Sequence, residues 1–232
     1  APWDWLVRLW GVEEALADLV DRPQLAHQAM ERLTGAWLAW LDQLEALNLL
    51  DLSNRHITGQ GGLGYTDELP APDYDPAHVR PADMWAGAMS QIFSCVSPAM
   101  HEEFALQYEA RFLNRFGLCY YGCCEPLDLK VGILRRNLPR LRKISMSPWV
   151  DVERGAQAIG ADYVFSYKPN PAVLAADNWN PEQVARDLRG VLEKTRGCRV
   201  ELILKDISTV RYRPQRLWEW AQIAARVTSE FA

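Results

Sequence analysis

The chain has 232 residues, of which 49% are apolar and 24% are charged, a composition typical of one soluble globular domain. The net charge of −5, without runs of Lys or Arg, gives no reason to expect nucleic acid or an anionic membrane as a partner. No apolar run reaches the roughly 18 residues of a membrane-spanning helix. No charged-then-apolar leader is visible, so we expect a cytoplasmic protein.

Cysteine usage agrees with a reducing compartment. An odd number of cysteines in a chain of this length is not a disulfide framework. The five cysteines are Cys95, Cys119, Cys123, Cys124 and Cys198.

The first part of the chain is predicted to be mostly helical. Residues 1–10 resemble the end of a strand and a loop, and a short helix is predicted over 11–20. A long helix should begin at Pro23, because proline is tolerated in a first helical turn, and end near residue 46. Residues 49–52 are a weak strand candidate.

A long excursion follows, which we interpret as a surface loop or lid over residues 57–81 of a single domain, 1–232. His56 comes just before it and is a candidate for acid–base catalysis. The glycine-rich stretch 58–65 fits neither the dinucleotide fingerprint nor a phosphate loop, so a nucleotide site is rejected.

Two more helices are predicted before the most distinctive stretch. One begins at residues 80–83, and the other runs from Ser97 to about residue 116, with His101 in a solvated first turn. Residues 118–121 are short, apolar and aromatic, which predicts a buried strand. Two thiols and a carboxylate follow at once, in Cys123-Cys124-Glu125.

Strands and helices then alternate to the end of the sequence. The predicted strands are 118–121, 141–146, 162–167 and 199–204, and the predicted helices are 127–137, 151–159, the segment from 180, and 214–231. The first of these helices has Leu129, Ile133 and Leu134 on its apolar face. Repeated strand–helix units predict an α/β fold of the (β/α)8 TIM-barrel type, lacking its first strands.

Polar residues follow each predicted strand, where barrel enzymes place their active sites. Ser147 and Trp149 follow one strand and could supply a hydroxyl and an aromatic wall to a substrate. The other strand ends carry the catalytic candidates Lys168, Asn170, Lys205 and Asp206. The lysines suit a substrate carboxylate or phosphate, or they form structural ion pairs at the rim.

The adjacent thiols leave two interpretations open. Cys123 and Cys124, with Glu125 or Asp206, could bind Zn²⁺ and thereby polarise a substrate. Alternatively, they are small packed side chains, since free cysteine is among the most buried residue types. In the catalytic interpretation, Glu125 also serves as an acid or base.

Several positions resemble the uroporphyrinogen decarboxylase superfamily. Ala1-Pro2-Trp3 followed by Gly11 is similar to a strand end of that family, and Pro23-Gln24 is similar to the start of a later helix. Tyr121-Gly122-Cys123 lies where its methyltransferases carry a His-x-Cys zinc motif, and Lys205-Asp206 lies near a further Cys ligand. Here Tyr121 replaces the His and Asp206 or a neighbour replaces the Cys, and the decarboxylase's Arg-rich N-terminal loop is absent.

The resemblance implies a barrel enzyme that transfers a methyl group between a small-molecule substrate and a corrinoid on a partner protein, with zinc as a candidate cofactor. Tyr121 would then lie among the substrate-binding residues, and a homodimer would be in keeping with the family. Two alternatives remain. One is a metal-independent decarboxylase of a porphyrinogen or aromatic carboxylate, with Lys168, Lys205 and Arg211 as its cationic residues; the other is a non-enzymatic ligand-binding barrel or fragment.

Overall fold

The computed structural model describes residues 2–52 and 63–232, and its first part is helical. The helices are α1 (Pro2–Trp10), α2 (Val12–Asp21) and α3 (Pro23–Ala46). The prediction of a strand end at residues 1–10 is wrong, because α1 is anchored as a helix by Trp3. That side chain is fully buried, and its Nε1 donates a hydrogen bond to the carbonyl of Phe104 at 2.8 Å. Residues 49–52 are irregular, so the weak strand predicted there is also wrong.

The described residues contain one sheet of five parallel strands, which are neighbours in the order of the sequence. The strands are β1 (Trp85–Ala88), β2 (Leu118–Tyr121), β3 (Leu141–Met146), β4 (Val164–Tyr167) and β5 (Arg199–Leu202). When parallel strands are neighbours in the order of the sequence and their crossovers are right-handed, successive helices lie on one side of the sheet. A doubly wound sheet differs, because its strand order reverses at one point. The predicted α/β class with a parallel sheet is confirmed.

The helical elements between the strands largely follow the predicted pattern. They are α4 (Pro98–His101), a π-helical segment (Glu102–Leu106), α5 (Gln107–Leu113), α6 (Val131–Asn137), α7 (Val152–Ile159), α8 (Ala172–Ala175), α9 (Pro181–Lys194) and α10 (Gln215–Ser229). Short 3-10 turns occupy Pro81–Asp83 and Gln91–Cys95. The helix predicted from residues 80–83 is wrong, because a single turn there leads into β1. Leu129 is 63% exposed and precedes α6, so its predicted place on the apolar face is wrong too.

The two faces of the sheet differ in polarity. Toward the helices, the paired positions Tyr121, Ile144 and Phe165 belong to the main apolar core. On the opposite face the register aligns Ser145, Ser166 and Glu201. Strand pleating produces this alternation in β3, β4 and β5, which contribute apolar residues to one side of the sheet and polar residues to the other.

Part of the predicted lid, which the structure describes over 63–81, lies near the amino ends of the strands. Glu68 forms an ion pair with Arg142 at the start of β3, at 2.5 Å. Arg80 joins Asp73 and the buried Asp83 in a further ion-pair network. The thiols follow the carboxyl end of β2, which is the other end of the sheet. Residues 57–62 and His56 lie outside the described residues, and the lid role stays a prediction.

Across the described residues, no helix is both long and apolar enough to cross a lipid bilayer.

Candidate active site at the carboxyl ends of the strands

The structure brings together residues that follow strands β2 and β5. We call Cys123, Cys124, Lys205 and Asp206 the thiol–lysine cluster. Lys205 Nζ lies 3.1 Å from Cys124 Sγ and 3.6 Å from Cys123 Sγ, and it donates a hydrogen bond to the Asp206 carboxylate. The two sulfur atoms are 3.7 Å apart. The cluster therefore joins residues that are about eighty positions apart in the sequence.

The charge state of the cluster follows from its burial and contacts. Burial lowers the pKa of Lys205, but the Asp206 carboxylate and the two thiols outweigh this and raise the pKa above its usual range. Burial raises the pKa of the Cys123 thiol to about 12, although the Lys205 charge opposes the shift. At neutral pH the cluster thus holds a protonated amine beside a protonated thiol. Cys124 is half-buried and Asp206 is exposed, so the cluster reaches the surface of the protein.

This donor set does not fit a zinc ion as it is arranged. In residues 2–52 and 63–232, no group of three or more His, Cys, Asp and Glu side chains is placed to hold a metal. The Lys205 ammonium already lies against Cys123, Cys124 and Asp206 and carries the positive charge there. Metal analysis of the purified protein tests the zinc prediction directly.

Lys168 is fully buried on the polar face of the sheet, where β4 ends. Its Nζ donates hydrogen bonds to the Ser166 carbonyl at 2.9 Å and to the Ser166 hydroxyl at 2.5 Å, and lies 5.1 Å from the centre of the Tyr120 ring. Burial lowers the pKa of Lys168 to about 7; Glu201 opposes the shift, and the Lys205 charge reinforces it. A lysine with such a pKa can give or take a proton near neutrality.

The depressed pKa of Lys168 predicts a pH-dependent stability. The folded pKa of about 7 is below the exposed value of 10.5, so between these values the unfolded chain binds more protons. The free energy of unfolding of the wild type, relative to Lys168→Met, should therefore rise by about 2 kcal/mol between about pH 7 and pH 9. Urea unfolding of both proteins across this range measures the difference. If the difference in unfolding free energy between the two proteins did not change with pH, Lys168 would have an ordinary pKa.

Glu125 has a structural position in the described chain. Its side chain is fully buried and accepts hydrogen bonds from the backbone N–H of Ser90 at 3.0 Å and of Cys123 at 2.9 Å. Burial raises its pKa. Glu125 therefore fixes the turn that presents the thiols and joins it to the segment after β1. Its predicted roles as a catalytic group and as a metal ligand stay predictions.

Three other candidates lie outside the thiol–lysine cluster. Ser147 is fully buried, and its hydroxyl has no hydrogen-bond partner within the described residues. Trp149 is 70% exposed beside it in sequence. Asn170 is exposed, and its side chain accepts a hydrogen bond from the N–H of Ala172 at 3.0 Å. Their predicted catalytic or substrate-binding roles stay predictions.

Tyr121 belongs to a buried polar chain on the helix side of the sheet, which sequence reasoning missed. Its hydroxyl donates to Glu109 at 2.5 Å and lies 2.7 Å from His101 Nε2, while Lys130 Nζ lies 3.1 Å from the other ring nitrogen of His101. The solvated position predicted for His101 is wrong, because the side chain is fully buried.

Burial dominates the electrostatics of this chain. It lowers the pKa of His101 to about 3, with the Lys130 charge acting in the same direction. It raises the pKa of Glu109 to about 7 against the hydrogen bond from Tyr121. The helical spacing of Glu109 with the apolar residues of its helix is the one signal in the sequence that could have indicated its burial.

No protein-family model matches the chain, and a search of the curated proteins finds no match either.

Proposed function

We propose that the chain forms most of a (β/α)8 barrel resembling the uroporphyrinogen decarboxylase superfamily, and that it decarboxylates a small carboxylate-bearing substrate without a metal. The barrel assignment is supported by the sequential order of the five parallel strands and by the polar face of the sheet. The observation that carries the activity is the charged Lys205, held beside Cys124 and Asp206 where the strands end.

The two lysines have different roles in the proposed reaction: one binds the substrate and the other transfers a proton. Lys205 stays protonated at neutral pH, so its ammonium can bind the substrate carboxylate and orient it. Decarboxylation breaks the bond between the carboxyl group and its carbon, leaves the electron pair on that carbon and releases CO2. Lys168, with a pKa of about 7, is suited to deliver the proton that this carbon then needs.

A turnover assay with a matched pair of lysine substitutions tests this activity. Porphyrinogens and aromatic carboxylates are supplied, and CO2 release is measured. Lys205→Ala should lower kcat/KM about a hundredfold, the order expected when a charged hydrogen-bond partner is lost. Lys194→Ala, which removes an exposed lysine of α9, should leave the rate unchanged. Equal rates in both variants and the wild type would contradict the role of Lys205.

Methyl transfer between a substrate and a corrinoid protein is the second candidate. It is favoured by the position of the thiol pair, with Cys124 half-buried beside Lys205, where the resembling methyltransferases carry zinc ligands. Metal analysis of the same preparations, with Cys123→Ser as the control, separates the candidates. One zinc per chain that is lost in Cys123→Ser would favour methyl transfer; methyl transfer that survives this change without zinc would exclude the metal mechanism. Ligand binding without either turnover would favour the non-enzymatic alternative.

A further inference from the structure

A second cationic site lies on the segment that follows Lys205 and Asp206. It is a cleft of about 490 Å³ between the residues after α8 and the start of α10. Its lining residues are Asp177, Thr209, Arg211, Tyr212, Arg213 and Arg216. None of them belongs to the thiol–lysine cluster.

The lining of the cleft carries an excess of positive charge. One of its three guanidinium groups, that of Arg211, forms an ion pair with the Asp177 carboxylate. Within the described residues, no carboxylate lies at ion-pair distance from Arg213 or Arg216. Arg213 is exposed and therefore available to a ligand, which leaves two uncompensated cations at one cleft.

Arg216 is the unusual member of this set, because it is only 2% exposed. Its Nη1 donates to the carbonyls of Leu174 and Ala176, both at 2.7 Å, and its Nη2 donates to that of Asp177 at 3.1 Å. Its Nε has no partner in the part of the chain that the structure describes. A buried guanidinium with an unpaired donor is costly unless an acceptor of opposite charge is supplied.

The start of α10 adds to the positive electrostatic potential of the cleft. The helix Gln215–Ser229 begins after Pro214 with no side-chain cap, and no acidic residue occupies its first turn. The positive end of its dipole and its first N–H groups are thus not compensated by a nearby carboxylate of the helix itself.

We propose that this cleft binds a multiply charged oxyanion, either a phosphate group or a polycarboxylate, through Arg213 and Arg216. Guanidinium groups present paired N–H donors that match both kinds of anion. The anion places a negative charge beside the buried Arg216 guanidinium and so offsets the cost of burying it. This site is independent of the proposed decarboxylase mechanism, because anion binding depends on Arg213 and Arg216 and not on Lys168 or Lys205.

Calorimetric titration with inorganic phosphate and with citrate, at constant ionic strength set with chloride, tests the site. The wild type should bind one of these anions with a stoichiometry of one. Arg213→Ala should weaken that binding about tenfold, the order expected for one charge-assisted hydrogen bond. Arg226→Ala, which removes an exposed arginine of the same helix, should leave it unchanged. Tighter binding of phosphate identifies a phosphate group as the ligand, and tighter binding of citrate identifies a polycarboxylate.

Two further variants make the test decisive. If the Arg216→Gln variant folds, it should lose more anion binding than Arg213→Ala. If Arg216→Gln does not fold, the result for Arg213→Ala alone tests the proposal. Lys205→Ala should retain anion binding, which separates this site from the thiol–lysine cluster. Neither anion binding more tightly than chloride, or equal binding by Arg213→Ala and Arg226→Ala, would overturn the proposal.

Discussion

Replacing Glu125 with alanine is expected to lower the free energy of unfolding by about 4 kcal/mol, because two buried N–H donors lose their acceptor at once. Those donors are the backbone N–H groups of Ser90 and Cys123, in segments that follow two different strands. Glu125→Gln should cost about half as much, since its amide oxygen can still accept one of the two bonds while its NH2 group cannot accept the other. Urea unfolding of the three proteins at neutral pH measures these differences.

The matched control for this prediction is Glu193→Ala, which removes an exposed glutamate of α9. Its effect should stay within about 0.5 kcal/mol, as for most surface substitutions. If Glu125→Ala were no more destabilising than this control, the carboxylate would not be what holds the turn before the thiols.

Gly117→Ala is the second substitution with a large expected effect. A Cβ at this position would lie 2.2 Å from the carbonyl oxygen of Ala82 and 2.6 Å from a methyl carbon of Leu69. The backbone of Ala82 cannot give way without shifting the turn that leads into β1, so we expect a loss of about 3 kcal/mol in unfolding free energy. A thermal or urea unfolding transition measures it.

Gly190→Ala provides the opposite case within the same protein. Gly190 lies inside α9, and a Cβ there would meet nothing within 4 Å. The change should stabilise the protein by about 0.5–1 kcal/mol, because alanine is the better helix former. Equal effects of the two substitutions would mean that the close approach at Gly117 is relaxed in solution.

The sequence predicted best those elements whose own residues determine their structure. The bounds of β2 and β3 agree with the prediction, because each is a short buried run bounded by turn-forming residues. Strand β1 was missed because Trp85-Ala-Gly-Ala has little β-propensity of its own. Its conformation is set by pairing with β2, a contact between segments about thirty residues apart that no local pattern reveals.

The candidate site was predictable in its position and not in its detailed contacts. Polar residues after parallel strands indicated that Cys123 and Lys205 would lie near each other, and the structure places them together. The placement of Glu125 depends on the turn at Gly122, whose φ of 99° reverses the chain and turns the carboxylate toward backbone donors. The side to which Tyr121 points depends on strand pleating, which a run of apolar residues does not encode.

The π-helical segment Glu102–Leu106 accounts for how a single phenol oxygen meets two partners. His101 and Glu109 are separated by eight positions, which in an uninterrupted α-helix would leave them about 80° apart around the axis. A π turn advances less per residue, so the segment rotates Glu109 back toward the azimuth of His101. Both side chains thereby reach the hydroxyl of Tyr121. The extra residue in the π turn thus sets the angle between the two side chains around the helix axis. If the helix were one residue shorter, the carboxylate and the imidazole would point in different directions.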